Sequence, residues 1–224
     1  MIVTLTRQLG SLGDLIATRV AAAGGLRLVD RDAVYRAAAT AGVPEDLLKE
    51  LMYDRQHSLG GDILDSLGGG TVELSGTPVP PPNPLGSIFL PMLPPATFSL
   101  EEAVRSLGLV IKDLAAQGNV LILGQASQVW LRDYAGACHV EIVAPFDLRV
   151  SRVSERLQIS QGEARRRVRA SDNAQADFLL RHHGFNWVDP LLYHLVINTG
   201  QVPAEVAVAL IVTAGQTLTA QARS

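Results

Sequence analysis

The chain has 224 residues, 47% of them hydrophobic, with a net charge of -3. That is enough for one sizeable core, and it argues against a global positive field that would draw nucleic acid or an anionic membrane surface. The only cysteine, Cys138, excludes an internal disulfide framework and a multi-cysteine metal site and fits a reducing cytoplasm; with no signal-peptide pattern and no apolar run of roughly 18 residues, the expectation is a soluble cytoplasmic protein.

Ile2 to Thr6 is short, β-branched and apolar and reads as a strand. It runs through the turn Gly10-Ser11-Leu12-Gly13 into a helical pattern, Leu15, Ile16, Val20 and Ala21, ending at Gly24-Gly25. Leu26 to Val29 predicts a second strand, with Asp30 as N-cap of a helix through Val34, Tyr35, Ala38 and Ala39. A further helix follows Pro44 and puts Leu47, Leu48, Leu51 and Met52 on one face. Between about Gly60 and Phe98 the character changes: eight of the twelve prolines lie from Pro78 to Pro95. The apolar cluster Ile88 to Leu93 calls for a cover, so the segment reads as an arm packing on its own domain or on a second copy; a loop without fixed structure is the alternative.

Order resumes at Ser99, an N-cap with its capping-box partner at Glu102, opening an amphipathic helix that runs to Gly118. Val120 to Leu123 is a fully apolar strand, followed by a helix carrying Val129, Trp130 and Leu131. His139 to Ala144 is the next strand, closed by Pro145. A helical region spans Phe146 to His183 with a break near Ile159-Ser160, where Ser160 and Glu163 form a second capping-box signal. Leu195 to Asn198 is the last strand and Ala204 to Ala222 the last helix. Apolar strands alternating with helices mean an α/β fold with a parallel sheet covered on both faces. Trp187 and Tyr193 read as packing residues, and Cys138 as a buried, inert thiol.

Ligands of such sheets bind beyond the carboxyl ends of the strands, and the first strand-to-helix turn is the usual phosphate cradle. A full phosphate loop reads G-x-x-x-x-G-K-[ST]. With Gly13 as its last glycine, Gln8 stands at the first glycine, Asp14 at the lysine and Leu15 at the hydroxyl. Taken alone, the turn is as well explained by a purely structural role. The run Arg165-Arg166-Arg167-Val168-Arg169 taken alone is a solvated helix face, and Arg152 and Arg156 flank Glu155 as exposed ion pairs do.

The order of the motifs adds a further reading. Thr4 to Gly13 resembles the S-R-Q-x-G-S-G-G opening of the cytidylate kinase-like family. Val29 to Arg36 is similar to its Y-D-R-E segment and to the L-D-[ST]-G-A-x-Y-R segment of true cytidylate kinases, and Val120 to Ser127 to V-I-V-G-R-G-A. Arg152 to Arg156, Ser160 to Asp172, Gly184 to Pro190 and Tyr193 to Thr199 resemble the family's lid and closing strand in order. The resemblance covers the chain except about residues 56–98. It implies a single three-layer α/β/α domain of the P-loop kinase fold over residues 1–224, with a helical lid region at 146–189 and a Gly/Pro-rich insertion or arm at 56–98, through which a homodimer could form.

The resemblance also implies ATP-dependent phosphoryl transfer to a nucleoside monophosphate, CMP or dCMP, with Mg2+ as cofactor. Carried over, Arg36 would bind the acceptor phosphate, with Asp30 and Tyr35 in the same pocket. Gly10, Ser11, Leu12, Gly13 and Asp14 would cradle the donor phosphates. Arg152 and Arg156 would lie by the donor nucleotide, and Arg165, Arg166, Arg167 and Arg169 would arm the lid. No protein ligand set for a metal is implied. Arginine suits these tasks because its planar fork binds phosphate bidentately and stays charged. Arg7, just before the turn, is a candidate substitute for the missing lysine. The family pattern is broken where chemistry is carried: Gln125 replaces the arginine of G-R-G, Asn173 and Gln175 replace the Lys and Arg of D-K-x-R, and the Asp14 carboxylate repels triphosphate oxygens unless it turns away or holds a cation. Two functions follow as expectations: a nucleoside-monophosphate kinase using Arg7, Arg36 and Arg169, or a catalytically silent relative serving as a nucleotide sensor or assembly scaffold.

Overall fold

A computed structural model of the chain describes residues 1–49, 51 and 98–223. Met52 and residues 56–97 of the expected arm lie outside them. A five-stranded, all-parallel sheet has the order β2-β3-β1-β4-β5. The strands are β1 (Ile2–Arg7), β2 (Arg27–Val29), β3 (Val120–Leu123), β4 (Ala137–Val143) and β5 (Leu195–Asn198). The helices are α1 (Gly13–Gly24), α2 (Arg31–Thr40), α3 (Leu100–Ala116), α4 (Ser127–Trp130), α5 (Phe146–Leu157), α6 (Gln161–His183) and α7 (Ala204–Gln221). Residues 45–49 are helical, as expected after Pro44.

The three layers follow from side-chain alternation along the strands. Val3, Leu5, Leu121, Leu123, Cys138, Val140 and Ile142 face α1 and α7, whose Ile16, Val20, Ala207 and Ile211 are buried against them. Ile2, Val29, Val120, Ile122 and Ala137 face α2 and α3, through Val34, Tyr35, Ala38, Leu107, Ile111 and Leu114. This is the three-layer α/β/α arrangement expected from the sequence. Burial raises the Cys138 thiol to about 11, which keeps it inert at neutral pH.

Local signals set the helix starts. Asp30 caps α2 by accepting from the Ala33 N–H at 2.8 Å. Ser99 and Glu102 make the full reciprocal capping box of α3. The second box is half formed: Ser160 accepts from the Glu163 N–H, but the Glu163 carboxylate is drawn to Arg167 at 2.8 Å and to Arg166. Two guanidiniums hold that carboxylate more strongly than one neutral backbone N–H would. Helices α5 and α6 form a hairpin with its own small core of Val150, Val153, Ala164 and Val168, onto which Leu9 and Phe146 pack. The far end of α6 packs near α4, where Leu179, Trp187 and Ala126 are buried together. His183 meets the Trp130 ring edge-on at 5.0 Å, so the paired histidines at this helix end pack as well as face the dipole.

Candidate functional site

Because every strand runs the same way, the turns after β1, β3, β4 and β5 gather at one edge of the sheet. The turn after β1 is wound by two left-handed residues, Gly10 at φ 82° and Leu12 at φ 67°. Glycine is required at Gly10: a Cβ there would lie 2.7 Å from the Arg149 carbonyl oxygen. Gly13 is equally constrained, since a Cβ would stand 2.3 Å from Cβ of Arg7. Gln8 anchors the turn to β4 by donating its N–H to Ile142 and accepting from the Ala144 N–H through Oε1 at 3.1 Å.

Three successive carbonyls of this turn accept side-chain hydrogen bonds from distant parts of the chain. Arg149 Nη1 reaches the Leu9 oxygen at 3.4 Å, Arg152 Nη1 the Gly10 oxygen at 3.3 Å, and Thr199 Oγ1 the Ser11 oxygen at 2.8 Å. Across a trans peptide the N–H of the next residue points opposite to the carbonyl. The Gly10 N–H is thereby turned away from Arg149 of α5 and the Leu12 N–H away from Thr199, while the Ser11 N–H closes the turn onto the Gln8 oxygen at 3.1 Å. Gly13 and Asp14 open α1, where the first N–H groups have no acceptor within the helix. Among the described residues none of these four N–H groups meets an acceptor. A concave set of peptide N–H groups at a helix start attracts an anion.

The charges around the turn are already matched to one another. Arg7 leans across Gly13 and Gly124, and its Nε and Nη2 both lie 3.0 Å from Asp14 Oδ1. Asp14 therefore turns toward Arg7, one of the escapes from phosphate repulsion that the sequence left open. The pair is half exposed, with side chains 32% and 45% accessible, and such pairs contribute roughly 0–1 kcal/mol. Arg149 is the opposite case. Its side chain is 5% accessible, it grips both Asp172 oxygens at 2.8 and 2.9 Å, and its Nε donates to the Ala144 oxygen.

The expected nucleotide-binding residues divide between this edge and the helix faces. Arg152 spends its guanidinium on Gly10, on Thr199 Oγ1 and on the Thr199 oxygen, and burial lowers its pKa. Arg156 is exposed on the same helix. Arg165 pairs with Asp147. Arg169 is exposed, 5.5 Å from the Phe146 ring centroid, and forms no ion pair among the described residues. On α2, Asp30 is spent on capping, the Tyr35 ring is buried in the core, and Arg36 is exposed with no described carboxylate beside it. Arg31, of the Y-D-R-E-like segment, is mostly buried. Among the described residues its Nη1 has no partner and its Nε reaches only the neighbouring Asp32 at 3.4 Å.

Beneath the edge lies a polar layer inside the α3 side of the sheet. Thr4 pairs in register with His139 and Thr6 with Glu141. Thr4 Oγ1 is 2.8 Å from His139 Nδ1, and Thr6 donates to Gln128, whose amide reaches the Tyr193 hydroxyl at 3.4 Å. Burial, then the neighbouring His194, pushes His139 down to about 4; burial raises Glu141 to about 7. Glu141 is 3% exposed, and its Oε1 and the Ser127 Oγ have no partner among the described residues.

A model of the cytidylate kinase-like family matches residues 2–201. The chain belongs to the cytidylate kinase-like family. A cytidylate kinase of Sulfolobus acidocaldarius is 29% identical over 99 residues, which cover 44% of this chain and 54% of that protein; the match thus spans about half the length of the curated relative. A crystal structure of an uncharacterized protein from Eubacterium ventriosum superposes with a TM-score of 0.65 at 15% identity, over 97% of this chain and 99% of the other, a likeness of fold. Within this family the loop of the chain is a poor match for a magnesium ion. Leu15 stands where the loop hydroxyl belongs, Asp14 is engaged by Arg7, and no cluster of three or more acidic, His or Cys side chains among the described residues is arranged to hold a metal. No described helix is long and apolar enough to cross a membrane.

Sequence reasoning missed Arg149, Asp172, Thr199 and Arg31 as parts of this edge. Arg31 sat in a segment already singled out, and an arginine in the first turn of a helix, where the dipole disfavours a cation, was a usable signal. The turn carbonyls that Arg149 and Thr199 reach lie 140 and 188 residues away, and no local pattern announces them.

Proposed function

We propose that the turn of residues 8–14 binds the phosphates of a nucleotide, and that the chain is a nucleoside-monophosphate kinase of the cytidylate type, taking ATP as donor and CMP or dCMP as acceptor. The observation that supports this is the fixing of the Leu9, Gly10 and Ser11 carbonyls by Arg149, Arg152 and Thr199, which holds neighbouring N–H groups outward before any ligand arrives. Preorganised donors of this kind favour the charge that spreads over a phosphoryl group in flight. In the transfer, an acceptor phosphate oxygen bonds to the γ-phosphorus as the bond to the β-γ bridging oxygen breaks, and a nucleoside diphosphate leaves on each side. The Gly10, Leu12, Gly13 and Asp14 N–H groups would hold the donor phosphates; Arg36 would take the acceptor phosphate; Arg169 would approach from the α5–α6 lid. Arg7 joins them once Asp14 releases it, which costs little for so exposed a pair. No step is assigned to a metal.

A second reading, a nucleotide sensor without transfer, is favoured by one feature: the lysine position of the loop is a carboxylate, Asp14, already satisfied by Arg7. The experiment that separates the two uses the purified chain with ATP, magnesium salt and each nucleoside monophosphate, with diphosphates quantified by chromatography and ATP binding by calorimetry. Formation of CDP or dCDP, lost in Arg36→Ala, is the expected result. Binding without diphosphate leaves the sensor; neither binding nor turnover ends the nucleotide reading.

A further inference from the structure

Arg149 touches the turn, the exit of β4 and helix α6 at once. Its Nε holds the Ala144 oxygen at 3.1 Å, Nη1 holds the Leu9 oxygen at 3.4 Å, and the fork closes on both oxygens of Asp172, which sits in mid-α6. The turn has no slack against it, because Gly10 already lies against the Arg149 backbone so closely that a Cβ would not fit. We infer that Arg149 and Asp172 form a strut that couples the position of α6 to the direction of the loop N–H groups. Both act as positioning residues that regulate the anion site, and for its consequence on nucleotides the inference rests on the reading above.

The physical chain has three links. A bidentate guanidinium–carboxylate contact fixes orientation as well as distance, so a shift of α6 either breaks it or carries the guanidinium along. The guanidinium carries the Leu9 oxygen, and the planar Leu9–Gly10 peptide swings its N–H with the oxygen. Free energy is reciprocal between sites, so an anion that fixes the loop must also bias α6. Helix α6 is one continuous 23-residue helix, so a displacement at either end reaches Asp172. Its first half packs on α5 and its far end near α4, and Asp172 lies between the two contacts.

Hydrogen exchange read by mass spectrometry on the full chain tests this without any ligand. In Asp172→Asn, peptides covering residues 8–16 are expected to exchange at least about threefold faster, peptides of α7 to stay as in the native chain, and Asp172→Glu to restore the loop rate. Unchanged loop exchange, or a rise shared equally by α7, overturns the strut, because a merely structural role loosens the fold evenly. A second arm adds inorganic pyrophosphate. Protection of residues 8–16 together with 161–183 in the native chain, reduced to the loop alone in Asp172→Asn, is the expected coupling; equal protection of both segments in the two proteins overturns it. Pyrophosphate that protects nothing counts against the nucleotide reading, while the ligand-free arm still decides the strut.

Discussion

Two arginine–aspartate pairs flank the same turn and do opposite things. Arg149–Asp172 is bidentate and tied to two carbonyls, with the guanidinium buried and the carboxylate a quarter exposed, whereas Arg7–Asp14 is half exposed and meets through a single carboxylate oxygen. Burial decides the difference. A desolvated pair is expensive to break because the survivor keeps a buried charge, whereas an exposed pair trades its partner for water at almost no cost. The first pair can hold the loop in shape and the second can be exchanged for a ligand. A site that must be rigid in backbone and open in charge needs one of each.

The strongest way to break that contrast is to remove the buried cation. Arg149→Met leaves the Leu9 and Ala144 carbonyls without their donor and the quarter-exposed Asp172 carboxylate to water, and it is expected to cost about 2 kcal/mol in urea unfolding; Arg7→Met should cost under about 1 kcal/mol. Equal losses would remove the distinction between the pairs.

Glu141 extends the comparison to a buried carboxyl that pairs with no cation among the described residues. Its pKa is raised to about 7, so the folded state keeps a proton that the unfolded chain releases near 4.5; stability from this group is full below the unfolded value and is lost as pH rises through 7. His139, held at about 4, works the other way: below about 6.5 the unfolded chain takes a proton that the folded state refuses, so stability is lost as pH falls. The two slopes oppose each other over the same window and nearly cancel. The native chain should therefore show a flat stability profile between about pH 4.5 and 6.5. Glu141→Gln uncovers the histidine slope and raises stability at pH 8 by up to about 3 kcal/mol, with little change at pH 4. Thermal unfolding of both proteins across that range checks it; a mutant profile parallel to the native one would show that Glu141 is not held protonated.

What was legible in the sequence was local or periodic. The Ser99 and Glu102 box, the Asp30 cap, the glycine turn and the apolar strands each announce themselves within a few residues, and the α/β/α layering follows from them. The site was legible only in outline. Arg152 and Arg165 were singled out by the family resemblance, yet their guanidiniums lie on the turn, Thr199 and Asp147, contacts that depend on how β5, α5 and α6 come together. The polar layer was hidden for a related reason. Cys138 to Val143 reads as an apolar strand until the register puts His139 beside Thr4 and Glu141 beside Thr6, so that every second residue joins one buried polar face.

The exposed pair can be sharpened on the functional side. Asp14→Asn removes a negative charge beside the N–H groups and releases Arg7, at a stability cost under about 1 kcal/mol. With a triphosphate about 6 Å away in a largely aqueous medium, the relieved repulsion is about 1 kcal/mol, a roughly fivefold gain in ATP affinity. Calorimetry at low and high salt reads it, and the gain should shrink as salt screens the charge. An unchanged affinity would place the phosphates elsewhere.

The smallest effect probes the backbone that both pairs surround. Leu12 stands where the family pattern has glycine, and its φ of 67° costs a leucine roughly 1 kcal/mol. Its side chain is 36% exposed, so replacing it forfeits little burial. Asparagine tolerates the left-handed region, and Leu12→Asn should stabilise the chain by about 0.5 kcal/mol. Glycine relieves the same strain but loses roughly as much through the extra freedom of the unfolded chain, so Leu12→Gly should sit near the native value. Valine, branched at Cβ, is the worst occupant of that conformation. Stabilities from urea unfolding in the order Asn, then Gly with Leu, then Val fit a turn clamped from behind by Arg149, Arg152 and Thr199. A valine as stable as leucine would mean that the clamp lets residue 12 relax, and with it the N–H groups on which the anion site depends.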